Sequence, residues 1–266
     1  ADPWLKLIIG PERIAAGDEI GCHGMPDTDP YEDTAQWVLA CRNYVRDMTP
    51  ASRWADEIVS FGARSSTEMH SKLQSAGVSV VGDLGGPLSS TDQSVWTVAF
   101  EGGALEKNVG DITKVEEVVG QGEIVHMYWQ AEIDEINIRR DRDLITWLEN
   151  SDAWHTTWGE AWSYSHLSTR SPNLTIVDSN VIVKFPFLTD QDDSRLWAVP
   201  VTVAISTGSA EVVSARFDNQ SSSAWTNRPI QLESGWRIAG QETLVTLQPG
   251  EVVELTLNGP VNSEDF

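Results

Sequence analysis

The sequence predicts an α/β domain over residues 1–170 followed by an all-β sandwich over 171–266. Two textures predict it. Up to about residue 170, helical periodicities alternate with short apolar strands, and one stretch runs helix, glycine, strand, the order of an α/β layer. Beyond Ser171-Pro172 the chain holds seven short β-rich runs separated by turn residues. At 266 residues it is long enough for two domains of ordinary size.

The elements follow in order. Residues 31–49 read as a helix, with Trp37, Val38, Cys41, Tyr44, Val45 and Met48 at helical spacing and Pro30 just before the start. Ser65 or Ser66 caps a second helix that carries Met69 and Leu73 and stops at Gly77; Val78–Val81 is then a buried strand. Another strand is expected over Glu123–Trp129, and a helix from about Asp141 with Leu144, Ile145 and Leu148 on one face. Thr157-Trp158-Gly159-Glu160 fits a capping box, opening a last short helix that ends near Arg170. The β-rich runs are Leu174–Val177, Val181–Phe187, Ala198–Ile205, Val212–Phe217, Ile230–Leu232, Glu242–Leu247 and Val252–Leu257, a number and spacing that suit a sandwich.

Charge narrows the function. Forty acidic residues against eighteen basic ones give a net charge of −22, which repels phosphate backbones and anionic lipid and so argues against nucleic acid as a partner. Five lysines with an excess of Asp and Glu match both a salt-adapted surface and an ordinary acidic extracellular one. No apolar run approaches the roughly 18 residues that a membrane span needs. Cys22 and Cys41 are too few for a disulfide framework; one bridge and a free pair are both compatible with the spacing. Asn173-Leu174-Thr175 and Asn219-Gln220-Ser221 match the glycosylation tripeptide, a match common by chance.

Among five histidines, His23 has the most suggestive setting, Gly17-Asp18-Glu19-Ile20-Gly21-Cys22-His23-Gly24 followed by Asp27 and Asp29. Imidazole with carboxylate suits Zn²⁺ or a similar divalent ion, although a histidine among turn residues is more often a plain loop residue. Serine-nucleophile chemistry lacks its Gly-x-Ser-x-Gly elbow, and no phosphate-cradling glycine motif is present. Cys22 beside His23 is no thiol-protease pair, because adjacent strand residues face opposite ways.

The segment Gly17–His23 resembles the Gly-His-Glu-Ile-Gly-x-His stretch of polysaccharide deacetylases, the NodB-homology carbohydrate esterases. Phe61-Gly62-Ala63-Arg64-Ser65-Ser66, followed by Leu73 and Gly77, is similar to their arginine loop and the helix after it. Gly122–Trp129 is like their late strand, and the Leu144–Leu148 helix with Thr157–Glu160 looks like their closing helix and its Thr-x-Gly-Glu stretch. The likeness covers roughly residues 12–168. It implies a distorted α/β barrel, incomplete in this chain, and a secreted or cell-surface hydrolase that removes acetyl groups from a polysaccharide or oligosaccharide with a divalent metal, zinc by donor type. In that chemistry a metal polarises the acyl carbonyl and activates water, a carboxylate is the base and a histidine the acid.

Carried over by position, His23 and Asp27 become the metal ligands, Asp27 standing where the family has a second histidine. Arg64 becomes the group that orients a carboxylate. The family's opening strand with paired aspartates has no counterpart before Gly17, and Gln130 stands where the acid histidine is expected. The strand is missing through truncation of this chain, or another chain or segment supplies it, in which case Asp83 or Asp29 becomes the candidate base and His126 the acid, or the fold has lost catalysis. Twelve tryptophans add a carbohydrate theme, since indole rings stack on sugar C–H faces: Trp129 and Trp158, with Glu160 nearby, are the candidate substrate contacts. The plainer reading of Trp154, Trp158 and Trp162, spaced by four, is that they pack the last helix on a sheet. The competing function is a non-catalytic carbohydrate-binding or surface protein that keeps the deacetylase-like fold.

Overall fold

The computed structural model describes residues 10–23, 34–62, 67–83, 96–99, 112–121, 142, 146–151, 154–208, 210–226 and 232–259. The fold is mixed α/β with parallel and antiparallel sheets. It divides into two compact units, Ala1–Ala153 with Thr157–Gly159 and Trp154–Thr156 with Glu160–Phe266.

The first unit runs α1 (Gly10–Ala15), β1 (Cys22–His23), α2 (Thr34–Arg46), β2 (Ser60–Gly62), α3 (Thr67–Ser75), β3 (Val80–Asp83), β4 (Trp96–Ala99) and α4 (Ile112–Gly120). Strands β1 to β4 lie side by side in chain order, and each neighbouring pair is parallel. The helix expected over 31–49 closes at Arg46: the N–H groups of Met48 and Thr49 both turn back onto the Val45 carbonyl, so Met48 is outside it.

After α3 the chain makes a Schellman turn. Gly77 has φ +88°, its N–H reaches Gln74 O, and Val78 N–H reaches Leu73 O. Arg42 of α2 donates to Ala76 O at that helix end and, through Nη2, to Glu57 Oε2 at 2.9 Å. This capping shifts the strand expected at Val78–Val81. Val78 serves the helix end, Ser79 and Val80 both donate to Val59 O, and β3 starts at Val80. The core beneath holds Val38, Val45, Ala51, Ile58, Phe61, Leu73, Val78 and Val81. The strand expected over Glu123–Trp129 lies outside the described residues; of the helix expected from Asp141, residues 142 and 146–150 are described and helical.

In the second unit the antiparallel strands are β5 (Asn173–Val177), β6 (Asn180–Lys184), β7 (Val201–Ser206), β8 (Val212–Phe217), β9 (Gln220–Ser222), β10 (Gly235–Ala239), β11 (Glu242–Leu247) and β12 (Val252–Leu257). They form a five-stranded sheet, β5-β6-β12-β8-β9, and a three-stranded one, β10-β11-β7. Each buries one face: Val181, Val183, Ala215, Val253 and Leu255 in the first, and Val201, Ile205, Val245 and Leu247 in the second.

Two predicted runs shorten for backbone reasons. Pro200 has no N–H, so the run from Ala198 joins the ladder only at Val201; Pro186 likewise follows the end of β6. Leu232, expected in a strand, is buried but lies in an irregular segment. Two strands were not expected. β9 is polar, yet the turn before it, Asp218-Asn219 with φ +43° and +70°, is the type I′ signal of a hairpin. β10 carries Gly235, whose α-carbon is covered by the Trp225 ring.

Candidate functional site

The carboxyl edge of the parallel sheet gathers the described candidates. In parallel barrels as in open parallel sheets, ligands bind outside the carboxyl ends of the strands, where the loops that follow them emerge. β1 ends in His23, β2 in Gly62 and β3 in Asp83. His23 pairs with Gly62, and Asp83 pairs with Ala99, the last residue of β4.

The His23 imidazole is exposed and leans on Gly62, where an added Cβ would sit 3.4 Å from its Cδ2. The residue before it, Cys22, is buried and bonded to Cys41 of α2, with Cα atoms 6.2 Å apart. The two cysteines therefore form one bridge, and neither is a thiolate ligand. Trp37 of α2 adds a second tie, donating from Nε1 to the His23 carbonyl at 2.9 Å.

Next along the edge, the Trp158 indole sits on Gly82 of β3. A Cβ at position 82 would lie 2.3 Å from Trp158 Cη2, so only glycine leaves room for the ring. Trp158 opens the helix α5 (Trp158–Leu167). Thr157 is at the N-cap place and Glu160 at N3, the spacing of a capping box, but the Thr157 hydroxyl does not bond the Glu160 N–H. The second amide of the helix, Gly159 N–H, is taken by a distant carboxylate, Glu19 Oε2, at 2.8 Å. Glu19 belongs to the same Gly17–His23 segment that delivers the histidine. Glu160 is buried, 3% exposed, and accepts from Thr156 Oγ1 at 3.2 Å.

The tryptophan stripe divides by place. Trp154 precedes the helix, so it cannot share a helical face with the other two; its ring meets Tyr164 at 4.9 Å. Trp162 is fully buried, with the Arg195 guanidinium 5.2 Å from its ring centre and the His166 ring 4.5 Å away. His166 Nδ1 lies 2.8 Å from Trp162 O, a packing role inside the helix.

Asp27, Asp29, Arg64, His126, Trp129 and Gln130 lie outside the described residues, and the side chain of Asp83 does as well. In sequence, Asp27 follows the end of β1 by four residues and Arg64 the end of β2 by two. Catalytic zinc sites draw about three ligands from the protein. Among the described residues no three His, Cys, Asp or Glu side chains come together, and His23 supplies one donor of the right kind. Sequence reasoning missed Glu19 as a helix partner, Trp37 as a tie to β1 and Gly82 as a seat for an indole. For Trp37 a signal existed, its spacing of four from Cys41; for the others none did.

No family model and no curated protein matches the chain. Two solved structures were found similar: a glycoside hydrolase family 30 subfamily 8 xylanase from Clostridium acetobutylicum and a family 30 endoxylanase from Clostridium papyrosolvens. Each is 11% identical with a TM-score of 0.20, a level that does not establish a shared fold. The matches cover 87% and 88% of this chain, which spans 62% of the length of each.

Proposed function

We propose that the chain is a metal-dependent, deacetylase-like hydrolase acting on an acetylated polysaccharide, with its site at the carboxyl edge of the parallel sheet. The observation that supports this best is the register that ends consecutive parallel strands in His23, Gly62 and Asp83. Strand order without reversal is that of a barrel wall, which favours the distorted barrel over a doubly wound sheet. β1 borders the described sheet, and that border is where a further strand with paired aspartates would add. We read the two antiparallel sheets as a sandwich that helps to hold polysaccharide. The disulfide favours an oxidising, secreted or cell-surface setting.

His23 and Asp27 would hold the divalent metal; an exposed imidazole with a carboxylate four residues on in sequence suits zinc by donor type. Such a metal, when bound, polarises the acyl carbonyl and lowers the pKa of water. Asp83 takes the proton from the attacking water, Arg64 orients a carboxylate, and His126 returns a proton to the departing sugar nitrogen or oxygen. Trp129 and Trp158 offer ring faces to the sugar, while Glu160 stays with the start of α5.

The test is acetate release from acetylated chitin and xylan oligosaccharides with added Zn²⁺. Metal-dependent release is expected, lost with His23→Ala and reduced by about 10²–10⁴-fold in Asp83→Asn. Tight binding of the same oligosaccharides without release would replace the enzyme by the carbohydrate-binding protein. Neither release nor binding would remove both.

A further inference from the structure

β1 is two residues long, and among the described strands it pairs only with β2, at two positions. A strand so short at the border of a sheet frays readily unless something else holds it. What holds it is one face of α2. Trp37 and Cys41 are four residues apart on that helix and so lie on the same side. Cys41 is bonded to Cys22, and Trp37 Nε1 donates to the carbonyl of His23, the next residue. Two consecutive residues of β1 are thus gripped by two consecutive turns of a helix whose roll is fixed by buried Val38 and Val45.

The grip also sets direction. Side chains alternate across a strand, so turning Cys22 inward to its bridge turns His23 outward. Cys22 is 2% exposed and His23 is exposed, as this requires. We propose that Trp37 and the Cys22–Cys41 disulfide are positioning residues for His23, a clasp that fixes where its imidazole is presented. Its use in metal binding rests on the function proposed above; the clasp itself does not.

The test reads the His23 ring in ¹³C-histidine-labelled full-length protein by NMR, assigned with His23→Gln, while Zn²⁺ alone is titrated. Wild type should give one sharp His23 ring signal that moves with zinc. Trp37→Phe keeps an aromatic ring and the disulfide, and removes the N–H donor together with part of the indole's area. It should broaden or split the signal and raise the zinc midpoint about tenfold, the size of an outer-shell effect. The double variant Cys22→Ala with Cys41→Ala should do so more strongly; if it does not fold, Trp37→Phe decides. Leu73→Ala loosens the core of the first unit from α3, leaving the residues of α2 and β1 unchanged, and should lower Tm while leaving the His23 signal and zinc midpoint as in wild type. Wild-type behaviour in Trp37→Phe, or an equal change in Leu73→Ala, overturns the clasp. If zinc leaves the wild-type signal unmoved, the metal reading of His23 fails, and the clasp is judged on the sharpness of the signal alone.

Discussion

At the scale of single residues, glycines and one imidazole define the candidate site. Gly82 gives its space to Trp158, so Gly82→Ala must displace the ring or the strand. Overpacking of this kind costs about 1–3 kcal/mol. Urea unfolding followed by tryptophan fluorescence should show that loss, whereas Gly120→Ala, with open space around it, should show none. An unchanged midpoint in Gly82→Ala would mean that Trp158 is seated elsewhere. His23 stood out in the sequence because it follows a polar strand end and precedes Asp27 and Asp29. The contacts that hold it did not. Trp37 reads as one more apolar position of an amphipathic helix, and only the fold reveals that its N–H reaches a strand 14 residues away.

Among elements, the loop between β6 and β7 carries the clearest electrostatics. Asp192 accepts the Thr189 N–H and hydroxyl and pairs with Arg170. Asp193 is bonded to Arg195 through its side chain and backbone. The Thr189 N–H and then Arg170 hold the Asp192 carboxyl below its ordinary 3.8, and the Arg195 guanidinium does the same for Asp193 against an opposing effect of burial. A carboxyl whose folded pKa is depressed stabilises fully above its unfolded pKa and loses that contribution as pH falls through the folded value. The stability of the second unit should therefore fall with pH below 3.8, and Asp193→Asn should lessen that dependence. Equal pH slopes in variant and wild type would remove Asp193 from the account.

Elements were legible where side-chain pattern decides. β8, β11 and β12 have the expected bounds because turn residues close each β-rich run; in β12 the buried residues also alternate, at Val253, Leu255 and Leu257. Bounds set by the backbone were missed, as at Val78, which caps a helix, and at Pro200, which cannot donate to a ladder.

For the whole molecule, a net charge of −22 means that like charges repel across the surface. At 1 M salt the screening length shrinks to about 3 Å, so added NaCl should raise Tm. A Tm that stays level from low to molar salt would show that the acidic surface is not a burden on folding. The passage from alternating helices and strands to strands alone was legible from texture, since helical periodicities stop near residue 170. Of the candidate site, the strand that ends at His23 was legible in the sequence.

The claim at the centre of the account is that His23, at the carboxyl end of β1, is where a metal binds. Anomalous diffraction at the zinc edge from zinc-soaked crystals tests it most directly. The account predicts a zinc peak about 2.0–2.1 Å from a His23 ring nitrogen, with the Asp27 carboxylate as a second ligand. Zinc on His155 or His166 instead, or no peak beside an ordered His23, would contradict it.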